Sequence, residues 1–178
     1  MKKPTVTILG DGGWGTALAL LLNEKGLPVR LWGAFPDYTA QMRAKRENTR
    51  YLPGFKIPKR IELTARLTES LEGADVVVLA IPSEYLRATL KKIRAAGSPP
   101  DAVYVSVVKG VEIATLTRMS EVIREELGAV RLGVLSGPTI AHEIAAGKPA
   151  TAVIASTNKK TAEYLQEIFM TERFRIYT

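Results

Sequence analysis

Val6-Thr7-Ile8-Leu9-Gly10-Asp11-Gly12-Gly13-Trp14-Gly15-Thr16-Ala17 lies at the start of the chain, and its reading decides the fold. The first four residues are apolar or β-branched, as a short buried strand requires. From Trp14 to Lys25, Ala17, Leu18, Leu21 and Leu22 return at helical spacing, and Gly26 closes the run. Between strand and helix stand Gly10, Gly12 and Gly15, in the order Gly-x-Gly-x-x-Gly. Each glycine has a mechanical duty there. Gly10 permits the tight turn, Gly12 lets backbone approach a diphosphate, and Gly15 lets the helix pack closely on the strand. The helix N-terminus offers unpaired N–H groups to the anion. Glycine-rich turns also occur without a ligand, so the spacing alone is weak. Its position after an apolar strand and before an apolar helix points to a dinucleotide.

Outward from this unit, short β-branched runs alternate with longer stretches of helical period. The expected strands are 6–9, 29–32, 61–63, 76–81, 103–108, 132–135, 152–155 and 174–177. Helical patterns fill 37–46, 83–96, 139–146 and 158–169, with a further stripe of Leu116, Met119, Val122, Ile123 and Leu127 ended by Gly128. Tyr51-Leu52-Pro53-Gly54 reads as an irregular loop. Residues 76–81 are wholly apolar, which suits a central strand covered on both faces. Such alternation predicts an α/β, Rossmann-like fold, a mostly parallel doubly wound sheet of about eight strands with right-handed crossovers. No repeat or linker divides the chain, so residues 1–178 are expected to form one dinucleotide-binding domain.

Composition narrows the function classes. The chain carries 25 Lys and Arg against 18 Asp and Glu, a net charge of +7. The basic residues are dispersed, and the densest group, Arg43 to Arg46, is followed by Glu47 and lacks interleaved aromatics, so no nucleic-acid partner is expected. Most of the surplus reads as a generally basic, solvated surface, and it also suits an anionic, phosphorylated small molecule through steering. The longest apolar run, Ala17 to Leu22, is too short to span a bilayer, and Met1-Lys2-Lys3-Pro4 lacks a signal-peptide core. With 0 cysteines there is no disulfide framework or thiolate metal site. No metal is expected, and a cytoplasmic location is the simplest reading.

In sheets of this class the ligand lies beyond the carboxyl ends of the strands. After the second strand come Gly33-Ala34-Phe35, without the carboxylate that holds an NAD ribose and without an arginine for a 2′-phosphate. On these residues alone, NAD and NADP are expected to bind within about tenfold of each other, or 1.4 kcal/mol. Asp11, a carboxylate beside the diphosphate loop, is expected to point away from it. Lys109 ends an apolar strand, where a cation either meets a phosphate or carbonyl oxygen or is simply solvated. Gly137-Pro138-Thr139 opens the 139–146 helix, either as a second anion-receiving N-terminus or as a plain cap with Thr139 as N-cap. His142, the 1 histidine, has no second histidine at zinc spacing, and is read as structural or solvent-facing.

Three further strand-end segments make a family visible. They are Ala80-Ile81-Pro82-Ser83-Glu84-Tyr85, Lys109-Gly110-Val111-Glu112, and Ser136-Gly137-Pro138-Thr139-Ile140-Ala141-His142-Glu143. With the extended opening motif they closely resemble the NAD(P)-dependent glycerol-3-phosphate dehydrogenases, over essentially all 178 residues. Tyr51 to Gly54 and Gly147 to Ala152 look like that family too. The resemblance implies cofactor contacts at Gly13, Trp14, Ala34, Tyr85 and Ala141, beside Gly10, Gly12 and Gly15 of the loop. It implies that Lys109 touches both cofactor and substrate, and that Gly137 and Thr139 are substrate positions. The activity implied is reduction of dihydroxyacetone phosphate to glycerol 3-phosphate with NADH or NADPH, for phospholipid synthesis.

The family also places its proton-donating lysine in a following helical domain, which residues 1–178 are expected not to include. The chain is therefore expected to hold no catalytic acid, to bind cofactor without turnover, and to be compatible with a homodimer. Other readings are a hydroxyacid or sugar-acid dehydrogenase of the same layout, or a non-catalytic NAD(P)-sensing module. Substrate profiling separates the first, and the length of the gene the second.

Overall fold

The computed structural model describes residues 3–178, so Met1 and Lys2 of the basic opening lie outside the described residues. In chain order the first half comprises β1 (Val6–Leu9), α1 (Gly13–Glu24), β2 (Val29–Trp32), α2 (Pro36–Lys45), β3 (Glu47–Asn48), β4 (Leu52–Lys56), β5 (Ile61–Thr64), α3 (Leu67–Leu71) and β6 (Val76–Leu79). The second comprises α4 (Ser83–Ala95), β7 (Val103–Ser106), β8 (Val111–Glu112), β9 (Thr117–Arg118), α5 (Met119–Leu127), β10 (Arg131–Ser136), α6 (Ala141–Ala145), β11 (Ala150–Ala155), α7 (Lys159–Phe169) and β12 (Phe174–Tyr177).

The main sheet has 8 strands in the order β12-β11-β10-β7-β6-β1-β2-β5. All eight expected strands lie in it. From β1 the chain moves outward through β2 to β5, then returns to β6 on the other side of β1 and moves the opposite way. That reversal between β1 and β6 opens a crevice at their carboxyl ends, the usual ligand position in such sheets. Neighbouring strands are parallel except β10 and β11, which pair antiparallel, with β12 parallel to β11. The cause is local. The connection through α6 is short and packs on α1, so the chain re-enters the sheet at the end it left.

Two apolar cores lie on the sheet's two faces, and side-chain alternation along the strands assigns them. Val76, Val78, Val103 and Val105 join the core under α1 and α7. Val77, Leu79 and Tyr104 join the one under α4 and α5. All four residues of β6 are buried, as a central strand requires.

Several local expectations change. The 51–54 segment is an edge of structure, because Leu52–Lys56 pairs antiparallel with Glu47–Asn48. Leu116 is outside α5. It sits at φ 56° in the turn between β8 and β9 and is 77% exposed, so the helical stripe begins at Met119. The short α3 had no apolar period long enough to show.

The β8–β9 hairpin follows Lys109-Gly110, and an ion-pair cluster fixes it. Arg87 of α4 donates to Glu112 at 2.7 and 2.8 Å, to Glu125 at 2.6 Å and to Glu126 at 2.9 Å. The bidentate guanidinium, with Thr115 Oγ1 at 2.6 Å, holds the Glu112 carboxyl down at about 2. A carboxylate lowered from 4.5 to about 2 stabilises the fold above its unfolded value, and that contribution fades as pH falls through this interval. Glu112→Gln should therefore lose stability at neutral pH and approach wild type as pH falls toward about 2. Urea titrations across that range check this; parallel profiles would show that Glu112 adds no pH-dependent stability.

Candidate functional site

The crevice is built on close approaches at the ends of β1 and β6. Gly10 has φ 120°, and a Cβ there would lie 2.7 Å from the carbonyl carbon of Ala80. A side chain at Gly15 would meet the Gly10 carbonyl at 3.1 Å from its carbon, so α1 descends almost onto the turn. Gly12 is the N-cap of α1, with no side-chain cap and no acidic residue in the first turn. The first helical amide bond runs from Thr16 N to Gly12 O at 2.9 Å, leaving the first-turn amides before it to an outside acceptor. A Cβ at Gly12 would meet nothing within 4 Å, so no protein group requires glycine there. An uncapped positive helix end with open space in front of it fits the diphosphate of a dinucleotide.

This loop is held in place from outside by Asn48, a fully buried side chain that the sequence reading missed. Its Nδ2 donates to Asp11 O at 2.7 Å and to Thr16 Oγ1 at 2.7 Å. Its Oδ1 accepts from Tyr38 Oη at 2.6 Å and from Tyr51 N at 3.0 Å. Asn48 thus ties the β3–β4 hairpin to the glycine loop, and a Cβ at Gly13 would lie 2.7 Å from Tyr51 O. The irregular Tyr51-Leu52-Pro53-Gly54 signal was present in the sequence, but nothing in its spacing connects Asn48 to residue 11.

Gly12, Gly13, Trp14 and Gly15 line a cavity of about 410 Å³ together with Lys109, Thr139 and Ala141. Ala80-Ile81-Pro82-Ser83 closes another side. An adjoining cavity of about 790 Å³ shares Trp14, Lys109 and Thr139 and adds Gly137. Arg118 and Arg124 also line it, and no Asp or Glu does among the described residues, so its field favours an anion. Neither arginine was singled out from sequence, because both sit in ordinary amphipathic surroundings. Lys109 is exposed and stands where the two cavities meet.

Other expected positions fall outside these cavities. Tyr85, in the first turn of α4, is 58% exposed, and Ala34 is exposed just past β2. Beyond Ala34, Phe35, Asp37, Tyr38, Arg50 and Tyr51 border a separate hollow of about 520 Å³. Thr139 is not a helix cap. Its N–H donates to Gly137 O at 2.9 Å in a tight turn, and α6 begins only at Ala141 after an Ile140 N-cap. A five-residue helix entered that way makes no second phosphate cradle. His142 is exposed and packs edge-on against Phe55, with ring centroids 4.9 Å apart.

A sequence profile described as NAD-dependent glycerol-3-phosphate dehydrogenase N-terminus matches residues 5–162. The chain belongs to this family. It is 43% identical over 176 residues to a glycerol-3-phosphate dehydrogenase (NAD(P)+) of Moorella thermoacetica, covering 99% of this chain and 52% of that protein. A protein of the same description from Chlorobium phaeobacteroides is 45% identical over 175 residues, covering 97% and 52%. The crystal structure of glycerol-3-phosphate dehydrogenase from Coxiella burnetii superposes with a TM-score of 0.94 at 34% identity, over 99% of this chain and 54% of that one. The chain thus spans about half the length of the relatives it matches. No helix among the described residues is long and apolar enough to cross a membrane.

Asn48→Ala should separate the two elements it joins. Buried groups at Asp11, Thr16 and Tyr38 would lose their partner, which costs on the order of 1–3 kcal/mol. Urea unfolding together with an NADH titration checks this, and we expect both stability and affinity to fall. Wild-type values for both would mean that the loop holds its shape without Asn48.

Proposed function

We propose that the chain supplies the cofactor-binding half of a glycerol-3-phosphate dehydrogenase that takes NAD or NADP. The proposed reaction is reduction of dihydroxyacetone phosphate to sn-glycerol 3-phosphate, a precursor of phospholipids. One observation carries this reading: in a chain of this family, the uncapped start of α1 and Lys109 line the same cavity at the β1–β6 reversal. The setting proposed is the cytoplasm. The partner is a small phosphorylated substrate, and assembly as a homodimer is compatible with the reading.

The reduced nicotinamide, when bound, supplies the hydride. The chain's own residues do the rest that this half can do. The first-turn amides at Gly13, Trp14 and Gly15 hold the diphosphate, with Gly10 and Gly12 clearing its path. Trp14 and Ala141 wall the cavity, while Ala34 and Tyr85 flank the cofactor from the crevice rim. Lys109, between the two cavities, holds a substrate oxygen and steadies negative charge developing there. Gly137 and Thr139 border the substrate, and the arginines of the larger cavity draw its phosphate inward.

Carbonyl reduction also needs a proton donor for the nascent alkoxide. Arg118 and Arg124 do not release protons, and His142 lies on the Phe55 side. We place the donor in a following helical domain, in the part of the relatives that this chain does not span. Residues 1–178 alone then bind cofactor without turnover.

Lys109→Ala in the full-length enzyme tests the assignment. We expect kcat/KM to fall about 10²–10³-fold, on the order of 2.7–4 kcal/mol, by analogy with loss of an oxyanion donor. NADH affinity should fall far less and the melting temperature should stay unchanged. Near-wild-type kcat/KM would make Lys109 a surface charge.

A further inference from the structure

The place of Lys109 is set by the backbone on its two sides. Neither cavity that it borders is lined by an Asp or Glu among the described residues, so no carboxylate steers its ammonium there. On the N-terminal side the chain is tied to the main sheet. Val107 is buried, and its N–H donates to Leu79 O at 3.1 Å. On the C-terminal side stands Gly110, at φ 93°. Glycine makes that joint permissive, so Lys109 keeps one position only if the segment beyond the joint is held.

That segment is the β8–β9 hairpin, which by itself is a weak support. It forms a two-stranded sheet separate from the main one, with Val111 opposite Arg118 and Glu112 opposite Thr117. Isolated strand pairs are marginal in water. Its apolar side chains add little, since Val111, Ile113 and Leu116 are exposed. What holds the hairpin is Glu112, whose two carboxylate oxygens accept from Nε and Nη2 of Arg87. Such a fork fixes direction as well as distance. Its base is rigid, because Leu86 and Leu90 of α4 are buried in one core with Val122 and Ile123 of α5. The other two carboxylates on Arg87, Glu125 and Glu126, belong to α5. Only Glu112 leads away from the helices, to a point three residues past Lys109. A cluster that served only to join α4 to α5 would need no partner there.

Resting on the role given to Lys109 above, we propose that Arg87 is a positioning residue for the reduction. Through Glu112 it sets the hairpin, and through the hairpin it sets where the Lys109 ammonium meets the substrate oxygen. Arg87 lines neither cavity, so its effect on turnover runs through Lys109. A displacement of about 1 Å at a reacting group costs on the order of 10²-fold in rate.

The test is steady-state kinetics of the full-length enzyme with dihydroxyacetone phosphate, with NADH titration and melting alongside. We expect Arg87→Ala to lower kcat and kcat/KM together, about 10–100-fold, with KM for the ketone and NADH affinity near wild type. Glu112→Ala keeps the contacts of Arg87 with α5 and should lower kcat likewise, so it stands in where Arg87→Ala melts too early to assay. Glu125→Gln leaves the fork on Glu112 intact and should keep wild-type kcat. In a Lys109→Ala background, Arg87→Ala or Glu112→Ala should lower the melting temperature as before but kcat/KM no further. Wild-type kcat in either single variant overturns the inference and leaves the proposed function standing. An equal loss in Glu125→Gln, or the same fold-loss with and without Lys109, does so too. Near-wild-type kcat/KM in Lys109→Ala alone overturns the role proposed for Lys109, and the inference with it.

Discussion

The uncapped start of α1, held against the ends of β1 and β6, is the constraint from which the rest of the structure follows. A helix whose first amides have no partner is a concentrated positive pole. It stays useful only if no side chain caps it and no backbone folds over it. Glycine at 10 and 15 lets the helix come down within contact of the strands, and the sheet order then places that pole at the reversal point. Lys109 after β7 and the turn at Gly137 after β10 face the same opening because parallel strands end on one edge.

Holding an open pole rigid requires support from elements remote in sequence. Asn48 reaches 37 residues back to fasten Asp11, and the Arg87 cluster fastens the hairpin that follows Lys109. Both supports are side chains with every polar atom engaged, which removes local alternatives. Asp11 is the contrast. It carries a buried oxygen with no hydrogen-bond partner among the described residues, beside the same loop.

Legibility from sequence followed the range of the interaction. The strands were visible because burial on both faces leaves runs such as Val76 to Leu79, and the glycine loop because its geometry is local. Lys109 could be singled out from its position after an apolar strand, but the residues alone left it open between a ligand contact and a solvated charge. The β3–β4 and β8–β9 hairpins were not visible, since β3, β8 and β9 have two residues each and no period to detect, while the five residues of β4 include Pro53 and Gly54, which read as a loop. Leu116 joined a helical stripe by spacing alone, and only the hairpin's positive φ shows why the helix starts later. Thr139 had the chemistry of a cap, but its amide is drawn back to Gly137, a preference that residue type does not encode. Asn48 meets the Asp11 main chain across 37 positions, and the Asp11 carboxylate lies against Gly33 across 22, contacts which no local pattern reports.

The measurement that bears most directly on this account is an NADH titration of Gly12→Ala beside wild type, with the melting temperature of each. Gly12 has φ −66° and ψ 177°, backbone that alanine adopts readily, and its Cβ would touch no protein atom within 4 Å. The added methyl projects only into the space assigned to the diphosphate. The account expects an unchanged melting temperature with binding abolished. Wild-type affinity in that variant would contradict it, because the dinucleotide would then lie somewhere other than the open end of α1.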